Sequence, residues 1–98
     1  MEQTERIKQM EQRLNRASAA VMEFSAALDK YLEVQRDIAV LREYYGSDEW
    51  KQDYADDEEG RFPEDLKRGV LSEDGIWNLL ADCRELTDRL AEHLKEKE

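Results

Sequence analysis

The first 45 residues contain neither glycine nor proline, the two residue types that most readily interrupt a helix. Within this stretch, apolar side chains recur at alternating spacings of three and four residues, which places them on one helical face. This face, the N-terminal stripe, comprises Ile7, Met10, Leu14, Ala17, Val21, Phe24, Leu28 and Tyr31. The spacing continues to Tyr45 after one slip in phase beyond Tyr31, which need not break a helix. The pattern predicts a single long helix over about residues 3–45.

Length and charge limit the possible function classes. A chain of 98 residues is predicted to form one domain, residues 1–98. Its net charge is −10, and residues 46–75 alone carry eleven acids and four bases, a net of −7. This charge would repel a phosphate backbone or an anionic membrane, so we expect no direct binding to nucleic acid or to membranes.

The same features favour a cytoplasmic location. The N-terminus lacks the apolar core of a secretory signal, and no apolar run is long enough to cross a membrane. Cys83 is the only cysteine, so an internal disulfide is impossible. We expect Cys83 to be mostly buried in the apolar face of its helix.

Glycine and serine residues mark the ends of a short acidic helix after the long one. Gly46 suits the left-handed position that ends a helix, and Ser47 suits the N-cap of the next. The second helix is predicted over about residues 48–58 and stops at Gly60. We interpret residues 46–72 as an acidic cover segment.

Two further helical starts are predicted beyond this helix. Pro63 suits the first position of a helical turn that ends at Gly69. Ser72 then suits the start of a C-terminal helix over about residues 73–96. Its apolar face comprises Ile76, Trp77, Leu80, Cys83, Leu86, Leu90 and Leu94.

The widths of the two apolar faces predict how the long helices pair. The apolar face of the N-terminal helix is narrow at first and broad later, whereas the apolar face of the C-terminal helix is broad at first and narrow later. Antiparallel packing would therefore pair narrow with narrow and broad with broad. Leu90 and Leu94 would then face Ile7–Leu14, and Trp77 would face Phe24–Tyr31. The predicted fold is all-α, with the C-terminal helix packed antiparallel to the long N-terminal one. If Ile7–Leu14 were instead left uncovered, the exposed seam would predict a homodimer.

The acidic segment also holds a cluster of aromatic rings. Trp50 and Tyr54 are four residues apart and share one helical face, whereas Tyr44 and Tyr45 are adjacent and point to different sides. Our first interpretation is a local hydrophobic cluster, with Trp50 and Tyr54 packed near one of Phe62, Leu66 and Val70. In this interpretation the clustered acids Asp53, Asp56, Asp57 and Glu59 face solvent.

The alternative interpretation treats the rings as an anchor for a partner, because Trp and Tyr dominate binding hot spots. The residues assigned to such a protein-binding surface are Tyr44, Tyr45, Trp50, Tyr54, Asp56, Asp57, Lys67 and Arg68.

Motifs for catalysis or metal binding are weak. The acidic run of residues 53–60, DYADDEEG, does not have the ligand spacing of a calcium loop. His93 is the only histidine and has no cysteine partner for a zinc site, and Cys83 has no histidine to activate it. We expect no catalytic residue, no cofactor and no bound metal.

One segment carries a resemblance to a known family. It is EYYGSDEWKQDYADDEEGRFPEDLKRGVLSEDGIWNLL, residues 43–80, with a charged helix on each side. Over nearly its full length, the chain resembles short bacterial proteins of about a hundred residues that are catalogued as a domain of unknown function. The resemblance implies a bacterial, cytoplasmic protein. It implies no activity, cofactor or catalytic residue.

Two function hypotheses from different classes follow. The first is a non-enzymatic protein-interaction or regulatory protein that uses residues 43–75 as its recognition surface for a protein partner, a basic protein being one candidate. The second is an acidic mimic of nucleic acid that occupies the basic groove of a DNA- or RNA-binding protein. An enzyme is a distant third. Binding by a mimic would be sensitive to salt, whereas binding anchored by rings would tolerate salt but be lost on truncation of Trp or Tyr.

Overall fold

The computed structural model describes residues 2–97, and over this range every regular element is helical. The four α-helices are α1 (Gln3–Glu33), α2 (Gln35–Tyr44), α3 (Asp48–Glu58) and α4 (Gly75–Lys97), with one 3₁₀ turn at Gly69–Leu71. The predicted all-α class is confirmed. The chain divides into two compact units, Met1–Gln35 and Arg36–Glu98, each of which is described by itself. The expectation of a single domain stays a prediction.

The predicted long helix is present as two helices, because α1 ends at Glu33. The Val34 amide divides its hydrogen bond between the carbonyls of Lys30 and Tyr31, each at 3.3 Å, and its backbone relaxes to φ −96° and ψ 7°. The Gln35 side-chain amide also donates to the Tyr31 carbonyl, at 3.3 Å. The interruption coincides with the slip in the apolar phase, where one straight helix cannot keep both sets of apolar residues on one face. The slip in the apolar phase therefore marks the boundary between α1 and α2, where the sequence predicted one continuous helix.

The predicted start and end of α3 are confirmed. Gly46 adopts a φ of 82°, in the left-handed region, and the Ser47 hydroxyl accepts a hydrogen bond from the Trp50 amide at 3.1 Å. The same hydroxyl donates to the Tyr44 carbonyl at 2.6 Å, so it ties the end of α2 to the start of α3. At the other end, Gly60 has a φ of 72°. Local sequence signals therefore fix both ends of this helix.

The connection from α3 to α4 differs from the prediction. Pro63 opens a single turn, in which the Leu66 amide donates to the Pro63 carbonyl at 3.1 Å, rather than a helical turn that ends at Gly69. Gly69 instead begins the 3₁₀ turn, which packs against both α3 and α4. The Ser72 hydroxyl donates to the Gly69 carbonyl at 2.7 Å and accepts from the Gly75 amide at 3.0 Å. Because Ser72 closes this turn, α4 begins at Gly75, two residues later than predicted.

The core of the second unit is small. Its buried apolar side chains are Ile38 from α2, Leu71 from the 3₁₀ turn and Ile76 from α4. Cys83 is partly exposed but mostly buried, as expected. Pairing of Leu90 and Leu94 with the N-terminal stripe stays a prediction. Within the described residues, no helix is long and apolar enough to cross a membrane.

Candidate recognition surface

Three aromatic rings form a continuous row at the junction of α2 and α3. The Trp50 and Tyr54 rings stack with centroids 5.3 Å apart and planes at 29°, as expected for residues one helical turn apart. Tyr45 meets the Trp50 ring edge-on, with centroids 5.2 Å apart and planes at 69°. Both geometries are favourable for aromatic pairs. We call Tyr45, Trp50 and Tyr54 the aromatic row.

Hydrogen bonds hold the row in place. The indole Nε1 of Trp50 donates to the carbonyl of Val70 at 2.9 Å, and the Tyr45 hydroxyl donates to the carbonyl of Glu73 at 3.3 Å. All three rings are half-buried. The expectation that Trp50 packs near Val70 is therefore confirmed, and the row joins α3 to the segment just before α4.

Tyr44 lies beside the row and points to a different partner. Its hydroxyl donates a short hydrogen bond of 2.6 Å to the Oδ2 atom of Asp53. Burial, followed by the hydrogen bond to Asp53 and by the nearby negative charges of Asp53 and Glu49, raises the pKa of Tyr44 to about 12. Tyr44 is thus a structural donor that remains protonated at neutral pH.

The acids of α3 were expected to face solvent, and for three of them this is wrong. Asp53 is engaged by Tyr44, and the side chains of Asp56 and Asp57 are only 24% and 25% exposed. Asp57 accepts a hydrogen bond from the Arg68 guanidinium at 2.7 Å. For Asp56 and Asp57 the physical reason is the chain reversal after Gly60, which brings Arg61 and Arg68 back over α3, whereas Asp53 is engaged from the end of α2.

Asp56 accepts one hydrogen bond and lies near one cation. The Gln52 side-chain amide donates to its Oδ1 atom at 3.0 Å, and the Arg61 guanidinium lies 3.7 Å from the same atom. Arg61 makes its closer ion pair with Glu59, at 2.6 Å. Glu59 is exposed, as expected. Asp56 and Asp57 are therefore part of the fold as much as of any binding surface.

A second set of carboxylates remains exposed next to the aromatic row. The charge of Glu58 is the main factor that raises the pKa of Tyr54, followed by desolvation and by the charge of Glu73. Glu58 and Glu73 are both exposed, and among the described residues neither forms an ion pair. The Tyr54 hydroxyl therefore lies near the negative charges of Glu58 and Glu73, which make no ion pair within the described part of the chain.

Other chemical sites are sparse. Between residues 2 and 97, no three side chains of His, Cys, Asp or Glu converge as a metal ion would require. The recesses along α1 are lined by side chains of one helix, Gln9, Gln12, Arg13 and Arg16. They are open grooves between neighbouring turns.

The comparisons with known proteins identify one family. The model of a family described as "Domain of unknown function (DUF4298)" matches residues 7–93. The chain belongs to this family. The match confirms the family resemblance over nearly the full length of the chain. No curated protein and no solved structure matches the chain.

The structure brings most of the predicted surface residues together, but in separate groups. Tyr45, Trp50 and Tyr54 form the aromatic row. Tyr44 is directed to Asp53, and Asp57 to Arg68, while Lys67 is exposed. Sequence reasoning named Val70 as a neighbour of Trp50 but missed Asp53, Glu58, Arg61 and Glu73 as members of these groups. For Glu58 the i, i+4 spacing from Tyr54 was an available signal, whereas no local pattern indicated Glu73.

Proposed function

We propose that the chain is a non-enzymatic interaction or regulatory protein, and that residues 43–75 bind a basic segment of a partner protein. The observation that carries this proposal is the aromatic row bordered by Glu58 and Glu73, two exposed carboxylates without a cation partner in the described chain. A lysine or arginine side chain placed there would meet both a ring and a carboxylate. Cation–π contact and charge-assisted hydrogen bonding would then act on the same group.

The fixed geometry of the rings supports the proposal further. Trp50 and Tyr45 are each held by a hydrogen bond to a backbone carbonyl, of Val70 and Glu73 respectively. A partner would meet rings that are already ordered, so binding would cost little additional side-chain entropy. The net charge of −7 over residues 46–75 would also speed the encounter with a basic partner.

The alternative, an acidic mimic of nucleic acid, has less support. A mimic needs free negative charges that a basic groove can bind. Asp53, Asp56 and Asp57 are instead engaged by groups of this chain. The carboxylates that stay free beside the aromatic row form a local patch. We also propose that the protein acts in the bacterial cytoplasm, as the family resemblance implies.

Affinity capture from a bacterial extract with the full chain as bait tests the proposal. The informative variant is Glu58→Gln with Glu73→Gln, which removes both charges next to Tyr54. The matched control is Glu64→Gln with Asp65→Asn, which removes the same charge from two exposed positions elsewhere in residues 43–75.

We expect a partner with a basic segment that the control retains and the informative variant loses. Truncation of the ring with Tyr54→Ala should also release this partner, even at moderate salt. Equal losses in the control and the informative variant would contradict the proposal, because net charge alone would then explain binding. Capture of a DNA- or RNA-binding protein that nucleic acid displaces would support the mimic instead.

A further inference from the structure

The first unit presents a long helix with an uncovered apolar face. Over Gln3–Glu33, all of which the structure describes, no residue is buried. Large apolar side chains of the N-terminal stripe are mostly exposed: Leu14 at 58%, Val21 at 68% and Phe24 at 57%. An apolar face of this length that stays in water is unfavourable, and such faces mark sites of association.

The spacing of the stripe identifies the kind of association. Its eight residues, from Ile7 to Tyr31, follow strict alternating steps of three and four, which is the heptad pattern with apolar residues at positions a and d. The pattern is sustained over 25 residues, or about 37 Å of helix. Apolar a and d positions with a period of 3.5 form the seam of a coiled coil. In the second half of α1 only alanines and Met22 widen this apolar face between Ala17 and Leu28.

We propose that the N-terminal stripe binds the same stripe of a second copy of this chain, in an antiparallel arrangement. In this arrangement each a position of one copy faces a d position of the other. The stripe of one copy therefore runs in the opposite direction along the stripe of the second copy. Leu14 lies opposite Phe24 of the second copy, and Ala17 lies opposite Val21 of the second copy. The Phe24 ring thus meets a leucine, while Ala17, the smallest side chain, meets a β-branched one. No layer pairs two aromatic rings or two alanines, as each parallel layer at Phe24, Tyr31 or Ala17 would.

The charges of α1 favour the antiparallel orientation over the parallel one. Residues 3–16 carry four bases and two acids, a net of +2, whereas residues 17–33 carry one base and three acids, a net of −2. Antiparallel copies place each basic half against an acidic half. Parallel copies would place like charges together, at separations near or below the Debye length of about 10 Å at 0.1 M salt.

Small residues beside the seam allow the helices to approach closely. The positions that flank the a and d residues in the second half of α1 are Ser18, Ala20, Ser25 and Ala27. Short side chains at such flanking positions reduce the distance between helix axes. A second copy of α1 therefore has both the complementary charge and the matching layers to cover the N-terminal stripe.

Sedimentation velocity of the full chain over a range of concentrations tests the proposal. We expect a monomer–dimer equilibrium for the wild type. Val21→Glu would place an unpaired charge at the seam and should raise the dissociation constant at least about a hundredfold. Ala19→Glu adds the same charge to the same helix at an exposed position away from the seam, and should leave the dissociation constant within about threefold.

The orientation is tested by disulfide trapping in a Cys83→Ser background. Leu14→Cys and Phe24→Cys proteins are each oxidised alone and then as a mixture. The antiparallel seam predicts that the mixture forms a mixed disulfide, whereas each variant alone forms little. Strong cross-linking of Leu14→Cys with itself would instead indicate parallel copies and would overturn the proposed orientation.

Two further results would overturn the proposal as a whole. A wild-type chain that remains monomeric while Val21→Glu lowers its melting temperature would mean that the stripe is covered within one chain. If the wild type is monomeric and neither Val21→Glu nor Ala19→Glu changes its melting temperature, the stripe has no partner within the chain or in a second copy. Far-UV circular dichroism of each variant confirms that α1 remains helical, so that loss of the dimer is distinguished from loss of the helix.

Discussion

Truncation of Trp50 offers a direct test of how the second unit is held together. The Trp50→Ala variant removes a half-buried ring that stacks on Tyr54, meets Tyr45 edge-on and donates to the Val70 carbonyl. One side chain therefore links α3 to the end of α2 and to the 3₁₀ turn. Trp77 is the matched control, because it is the same residue type in the same unit but is 58% exposed.

The expected cost follows from these contacts. A fully buried Trp→Ala change costs about 3–5 kcal/mol, and the partial exposure of Trp50 places it at the lower end of this range. The two ring pairs account for about 1 kcal/mol each beyond burial. The indole hydrogen bond adds about 1 kcal/mol at most, since the freed Val70 carbonyl can be solvated. Because these contributions overlap, we expect Trp50→Ala to lower the free energy of unfolding by about 3 kcal/mol.

Urea and thermal unfolding, followed by near-UV circular dichroism, measure this cost. For a unit of this size, about 3 kcal/mol corresponds to a fall in melting temperature of roughly 12–24 °C. Trp77→Ala should cost less than about 1 kcal/mol. Trp50→Phe, which keeps a ring but removes the donor, should cost about 1 kcal/mol. The reasoning is refuted if Trp77→Ala destabilises the protein as much as Trp50→Ala, or if Trp50→Ala unfolds like the wild type.

Three further changes test other contacts. Gly75→Ala should lower the free energy of unfolding in urea by about 1–3 kcal/mol, because its new Cβ would lie 2.5 Å from the backbone oxygen of Gly69. The control Gly69→Ala places its Cβ in open space and should cost clearly less. Asp57→Asn weakens a partly solvated hydrogen bond from the Arg68 guanidinium, so it should lower the free energy of unfolding by about 1 kcal/mol. The exposed control Glu64→Gln should lower it by almost nothing. Equal melting temperatures for the two variants would count against an inward role for the Asp57 carboxylate. The stabilisation that comes from the raised pKa of Tyr44 is fully present below pH 10 and is lost as the pH rises through about 12, because the unfolded chain ionises first. A spectrophotometric titration at alkaline pH should therefore show a phenol that ionises near pH 12 and is absent from Tyr44→Phe, and a profile without that difference would contradict the assignment.

The sequence predicted the local elements of this protein well. The limits of α3 followed from Gly46, Ser47 and Gly60, because caps are made between residues only three or four apart. The sharing of one face by Trp50 and Tyr54 followed from helix geometry in the same way. The all-α class followed from composition and from the 3.6-residue period of the apolar positions.

The candidate surface was only partly predictable, because its remaining contacts join distant parts of the chain. Glu73 reaches the aromatic row from 28 residues away, and nothing in its local pattern indicates a tyrosine partner, whereas the apolar Val70 was one of three expected neighbours of Trp50. The acids of α3 were assigned to solvent from their position on a charged helix. That assignment assumed that no cation would return to them.

The tertiary structure therefore decided which acids belong to the fold and which remain free for a partner. Asp57 and Glu58 are adjacent and alike in the sequence, yet Asp57 binds Arg68 while Glu58 stays exposed beside Tyr54. Local propensity determines where a helix begins and ends, since its interactions lie within one or two turns. The environment of a side chain on that helix depends on where the chain goes afterwards. Here the reversal after Gly60 covers one face of α3 with cations and leaves the next carboxylate in water.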